Sequence, residues 1–142
     1  MPLSKLRILY IEDHDDTREL VKLVLEELHY RVATANTIKS ALMLASEQEF
    51  DLYLLDTWLP DGSGLELCRL IREFDPVTPI LFYSAAVYDS DKARAHAAGA
   101  QGYLAKPCAI SELQQMVSTH IKRPRAHPGP VESQRPLAVR VQ

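Results

Sequence analysis

The stretch Asp51-Leu52-Tyr53-Leu54-Leu55-Asp56, followed by Thr57-Trp58-Leu59-Pro60-Asp61-Gly62-Ser63-Gly64, decides the fold. Its apolar run, bounded by turn chemistry, reads as a strand buried on both faces, the kind found in parallel sheets. The strand ends in a carboxylate, and a second apolar run, residues 6–11, ends in Glu12-Asp13. If these two strands lie parallel and adjacent, Glu12, Asp13 and Asp56 meet at one sheet edge. Two ionised carboxylates about 4 Å apart repel by roughly 4 kcal/mol at an effective dielectric of about 20, so such a cluster requires shifted pKa values or a bound cation.

Working outward, further strands are predicted at residues 30–35, 79–84 and 102–105 from their β-branched, aromatic and leucine content and the turn residues beside them. Helices are predicted between and after them. Residues 16–28 place Leu20, Val21, Val24, Leu25 and Leu28 on one wide face, with Asp15 or Asp16 as the candidate N-cap. Residues 37–48 repeat the pattern with Ile38, Ala41, Leu42 and Ala45, residues 65–74 with Leu67, Leu70 and Ile71, and residues 110–121 with Leu113, Met116, Val117 and Ile121. Residues 89–98, ending at Gly99, offer little beyond alanine to bury and are predicted to be the least firmly held helix. Ala109 is a poor N-cap residue for the last helix. Alternation of this kind implies an α/β fold whose parallel sheet is covered on both faces. Ligands then sit beyond the carboxyl ends of the strands, which is where Glu12, Asp13, Asp56, Ser84 and Lys106 fall.

At 142 residues, 46% hydrophobic and 25% charged, the chain has room for one domain, read as residues 1–121. It contains no apolar run near membrane-spanning length and no secretory leader pattern, so a cytoplasmic protein without membrane contact is expected. Cys68 and Cys108 have no metal-ligand spacing and read as reduced packing residues. Residues 122–142 hold five basic side chains and one acidic one, a surplus of +4, so the chain's net −3 leaves −7 on residues 1–121. An acidic body favours a metal cation over a phosphate backbone as partner. The tail, with four prolines from Pro124 to Pro136 and no periodicity, reads as disordered, and without aromatics its scattered charges disfavour nucleic-acid binding as a main function.

Together these residues describe a phosphoryl-accepting aspartate. Asp56 would be the nucleophile and Glu12 and Asp13 would hold Mg2+ beside it, because magnesium takes a few carboxylate oxygens and keeps waters. Lys106 would supply a second positive contact to the transferring group, and Ser84 a hydrogen bond.

With Glu12-Asp13, Asp56, Leu59-Pro60, Gly64, Ser84, Tyr103 and Lys106-Pro107 in this order, residues 5–121 resemble a CheY-like receiver domain of two-component response regulators. The resemblance implies a doubly wound, flavodoxin-like (βα)5 fold in strand order 2-1-3-4-5. It implies Mg2+ bound by Asp13, Asp56 and the backbone carbonyl of Trp58, with Glu12 acting partly through water, and a cis bond before Pro107. It further implies phosphorylation of Asp56 by a sensor histidine kinase or histidine phosphotransfer protein, with Ser84 drawn toward the phosphoryl group and Tyr103 turning into the space it leaves. No further domain is visible in the sequence, so output is expected through an unknown protein effector, and a phosphorylation-linked dimer would use the last helix face. The chain is accordingly read as a switch with slow self-phosphorylation and autodephosphorylation, not a turnover enzyme. Trp58 is large and Ala86 small for their places beside the path of an attacking water. Trp58 is therefore expected to shield the acyl phosphate and slow its hydrolysis, with a partner-facing aromatic as the alternative.

Two other readings compete. Asp13-His14-Asp15-Asp16-Thr17 fits the opening motif of haloacid dehalogenase-like phosphatases, with Asp13 as nucleophile and Asp15 as general acid, but the expected late acidic pair is missing and Asp56 would have no task. The other is a receiver-like binding module that works without phosphorylation, against which the full set of site residues argues.

Overall fold

A computed structural model describes residues 5–121; the basic, proline-rich tail predicted for 122–142 lies outside the described residues. Along the chain run β1 (Arg7–Ile11), α1 (Asp15–Glu26), β2 (Arg31–Ala35), α2 (Ile38–Glu47), β3 (Leu52–Leu55), the two-residue strands β4 (Trp58–Leu59) and β5 (Gly62–Ser63), α3 (Gly64–Phe74), β6 (Ile80–Ser84), α4 (Asp89–Ala98), β7 (Gly102–Ala105) and α5 (Ile110–His120). The five longer strands form one parallel sheet in the order β2-β1-β3-β6-β7, which is 2-1-3-4-5 when they are counted alone.

The side-chain period of two along each strand divides the core into two layers. Leu9, Ile11, Tyr53 and Leu55 pack with Ile38 and Ala41 of α2, Leu67, Cys68 and Ile71 of α3, and Ala95 and Ala98 of α4. Ile8, Tyr10, Leu52 and Leu54 pack on the other face with Val21, Val24 and Leu25 of α1 and Leu113 and Val117 of α5. Helices on both faces explain why β3 is buried along its whole length and carries no charged residue. Among the described residues, no helix is long and apolar enough to cross a membrane.

The helix ends add detail that the apolar pattern does not carry. α1 begins one residue before the predicted start, and its cap is His14 instead of Asp15 or Asp16: His14 Nδ1 accepts the Thr17 N–H at 3.3 Å. Asp15 and Asp16 instead occupy the first turn, where carboxylates complement the helix dipole. Ala109 indeed offers no side-chain cap to α5, and Glu112 compensates by reaching back to accept the Ala109 N–H at 3.1 Å. The hairpin of β4 and β5 was not predicted, since two-residue strands leave no periodicity to read.

α4 buries only Ala95 and Ala98, as its composition predicts. Its carboxyl end is nevertheless held. Gly99 adopts φ 117°, a left-handed cap suited to glycine, and its carbonyl accepts from Arg72 Nε at 3.1 Å and Nη2 at 2.9 Å. The same guanidinium donates to the carbonyls of Asp75 at 2.9 Å and Thr78 at 2.8 Å and to Gln101 Oε1 at 2.8 Å. Arg72 thus ties α3, the approach to β6 and the end of α4 together. Replacing Arg72 by methionine is expected to cost about 2 kcal/mol in urea unfolding, because several part-buried carbonyls lose their donor. Hydrogen exchange should quicken first in the last turn of α4.

Candidate functional site

Strand register determines which side chains meet. Ile11 lies opposite Leu55, and Leu55 opposite Phe82. One step further, the Asp56 N–H donates to the Ile11 carbonyl at 3.1 Å, the Glu12 N–H to Ala35 at 2.9 Å and the Lys106 N–H to Ser84 at 2.9 Å. The residues that end β1, β3, β6 and β7 therefore leave the sheet at one carboxyl edge.

One carboxylate oxygen from each of Glu12, Asp13 and Asp56 lies within 4.8 Å of the others. Glu12 and Asp56 are buried and Asp13 is exposed. Lys106 Nζ stands 2.6 Å from Glu12 Oε1 and 3.3 Å from Asp56 Oδ2, and 5.3 Å from the centre of the Tyr83 ring. Asp56 Oδ1 accepts the Thr57 N–H at 2.7 Å. Glu12 Oε1 also accepts from the Tyr10 hydroxyl at 3.0 Å, while Oε2 accepts the His14 N–H at 3.2 Å. Burial, and after it the charge of Glu12, pushes the Asp56 carboxyl above its usual range, with Lys106 and the Thr57 N–H pulling the other way. Burial, then the charge of Glu12, holds the Tyr10 phenol far above its ordinary value. Tyr83 is pushed up to about 12 by burial and then by Cys108.

The loop after Asp56 is shaped closely. A Cβ on Gly64 would stand 2.0 Å from the Asp56 carbonyl oxygen, so no larger residue fits without moving the site. Ser63 caps α3, its Oγ accepting the Leu65 N–H at 3.0 Å. Asp61 accepts the N–H groups of Ile38 at 2.8 Å and Lys39 at 3.1 Å, which fastens the loop to the start of α2 and lowers the Asp61 pKa. Thr57 Oγ1 is buried and has no hydrogen-bond partner among the described residues.

Ser84 is fully buried at the end of β6, and its Oγ accepts the Ala86 N–H at 3.1 Å. The Tyr103 ring stacks on Phe82 at 5.7 Å, and its hydroxyl donates to the Ala86 carbonyl. Both side chains thus grip Ala86, in the segment that leads into α4. The Trp58 side chain is 61% exposed, and the Lys106-Pro107 bond is cis. The sequence-derived residues Glu12, Asp13, Asp56 and Lys106 come together as one cluster, with Ser84 and Tyr103 meeting at Ala86. Asp15, the general acid of the phosphatase reading, pairs instead with Arg18 at 2.5 Å on the exposed first turn of α1. Tyr10 and Asp61 were missed by the sequence reading. Tyr10 carried a usable signal, standing two residues before Glu12 and so on the same side of the strand.

A family model, the response regulator receiver domain, matches residues 8–118. The chain belongs to this family. Among curated proteins, the KDP operon transcriptional regulatory protein KdpE of Escherichia coli is 37% identical over 123 residues, 87% of this chain and 54% of its own length. The sensor histidine kinase AruS of Pseudomonas aeruginosa is 38% identical over 117 residues, 80% of this chain but 12% of its own. The chain thus spans about half the length, or less, of the curated relatives it matches first. The non-phosphorylated HemR receiver domain of Leptospira biflexa superposes with a TM-score of 0.79 at 34% identity, covering 84% of this chain and 98% of that one. Receiver domains are phosphoacceptor switches of two-component systems, and this one carries their acidic pocket.

A carboxyl whose pKa folding raises stabilises the fold in its protonated form, and that contribution is lost as pH rises through the folded value. In metal-free buffer, Asp56→Asn is therefore expected to be more stable than the wild type at neutral pH. The advantage should vanish as pH falls below the ordinary carboxylate range, which thermal melts across a pH series would check.

Proposed function

We propose that Asp56 accepts a phosphoryl group from a phosphohistidine of a sensor histidine kinase or histidine phosphotransfer protein, and that this switches a partner-binding surface. The observation that carries the reading is the buried pair Glu12 and Asp56 beside exposed Asp13, with one ammonium, Lys106, between them. Negative charge exceeds positive there, and the donors are hard oxygens, which suits Mg2+. Glu12, Asp13, Asp56 and the Trp58 carbonyl would hold the ion. Bound Mg2+ would neutralise the carboxylates and the incoming phosphoryl oxygens.

The protein's own contributions follow from placement. An Asp56 carboxylate oxygen attacks phosphorus as the bond from phosphorus to the donor imidazole nitrogen breaks, and that nitrogen keeps the electron pair. Lys106, now shared between Glu12 and Asp56, is within reach of a phosphoryl oxygen on Asp56 and would stabilise its charge. A phosphoryl group brings about 1.5 to 2 negative charges and strong acceptors. Ser84 Oγ, which now accepts from Ala86, would turn to donate to it. Ala86 would then shift, carrying the Tyr103 contact and the lightly packed α4 with it. The surface that changes comprises α4, β7 and α5, facing a protein effector or a second copy of the chain. In this reading the receiver works in the cytoplasm and its self-phosphorylation and autodephosphorylation are slow, with exposed Trp58 over the acyl phosphate.

Amide NMR spectra with Mg2+ and beryllofluoride test the switch. Large shifts are expected at residues 56, 84, 86 and 103 and through α4, and none in Asp56→Asn. Shifts confined to the acidic loop, leaving Ala86 and α4 unmoved, would refute the coupling.

A further inference from the structure

The hydroxyl of Tyr10, a residue fully buried at the site, has no task in the proposed function. Tyr10 sits in β1 on the face covered by α1 and α5, where the buried residues around it are aliphatic apart from Tyr83. A hydroxyl in such a layer is costly to bury unless it finds a partner. Its partner is Glu12 Oε1 at 3.0 Å, the same oxygen that holds Lys106 Nζ at 2.6 Å. The other Glu12 oxygen is held by the His14 N–H at 3.2 Å. Glu12 is thus fixed at both oxygens, from below by Tyr10 and from the sides by Lys106 and the backbone. Asp13, by contrast, is exposed.

We propose that Tyr10 is a positioning residue of the cation and phosphoryl site: its hydroxyl sets the Glu12 carboxylate, and Glu12 in turn sets where the Lys106 ammonium rests. The inference rests on the proposed function, because it assigns Tyr10 to the same Mg2+ site. The oxygen shared by Tyr10 and Lys106 makes the chain of contacts continuous from the core of the sheet to the acceptor Asp56. Partners that orient a metal-site carboxylate from behind govern metal affinity even though they never touch the ion.

The test is a double-mutant cycle on Mg2+ affinity, using wild type, Tyr10→Phe, Glu12→Gln and the double variant. Mg2+ is titrated against the fluorescence of Trp58, the chain's single tryptophan, and by calorimetry. Tyr10→Phe keeps the ring in the core, Tyr10→Leu serves as a second variant lacking the hydroxyl, and melts in EDTA verify folding. Tyr10→Phe is expected to weaken Mg2+ binding by about 10-fold to 100-fold. In the Glu12→Gln background the same change should cost less than about twofold, since Tyr10 acts only through Glu12. Unchanged affinity in folded hydroxyl-free variants, or equal losses in both backgrounds, would overturn the proposal. A wild type that binds no Mg2+ would overturn the proposed function itself, before any variant is compared.

Discussion

The ammonium of Lys106, held at 2.6 Å by Glu12 and 3.3 Å by Asp56, is the interaction on which the rest of the site depends. Without it, two buried carboxylates would face each other with only backbone and hydroxyl donors, and removing one partner of a buried pair typically costs about 3 to 5 kcal/mol. With it the cluster is still short of positive charge, because Asp13 stands at the same edge. Burial first, and then the charge of Glu12, raises the Asp56 carboxyl, and a local cost of this kind is one that functional sites retain and stability alone would remove. A bound cation would offset this surplus of negative charge, and a phosphoryl group, which adds about 1.5 to 2 more negative charges, would increase the demand for one.

The sheet makes this arrangement possible. Parallel strands deliver their last residues to one edge, and the register that sets Ile11 opposite Leu55 also brings Glu12 beside Asp56. Register is enforced by burial on both faces, since a slip of one residue would exchange the two apolar layers. The site therefore draws its rigidity from Leu9, Leu54 and Phe82 as much as from its own hydrogen bonds. Rigidity falls away from the centre outward. Ala86 is gripped by Ser84 and Tyr103 at one end of α4, and Gly99 by Arg72 at the other, with little apolar burial between. A helix pinned at its ends and loose along its length can respond to a small shift at Ala86 while its far end stays fixed by Arg72.

Much of this was legible in the sequence, for identifiable physical reasons. Strands buried on both faces read as apolar runs, and helices facing a sheet repeat their apolar residues at helical spacing. The longer elements therefore emerged within a few residues of their ends. The cluster of Glu12, Asp13, Asp56 and Lys106 followed because strand-end residues in a parallel sheet converge. Features that depend on one side chain meeting one backbone group stayed hidden. His14 as the α1 cap, Asp61 on the amides of α2 and Arg72 on the Gly99 carbonyl are long or local contacts that carry no periodicity. The hairpin of β4 and β5 is too short to leave a pattern, and nothing in the sequence alone sets the Tyr10 hydroxyl against Glu12.

The most direct test of the central claim, that Asp56 in this cluster accepts a phosphoryl group with the help of a divalent cation, is intact mass after incubation with acetyl phosphate. The account predicts one added phosphoryl group, about 80 Da, in the wild type with Mg2+, and none in EDTA or in Asp56→Asn. Labelling that persists in Asp56→Asn, or no labelling of a protein that binds Mg2+ under these conditions, would contradict it.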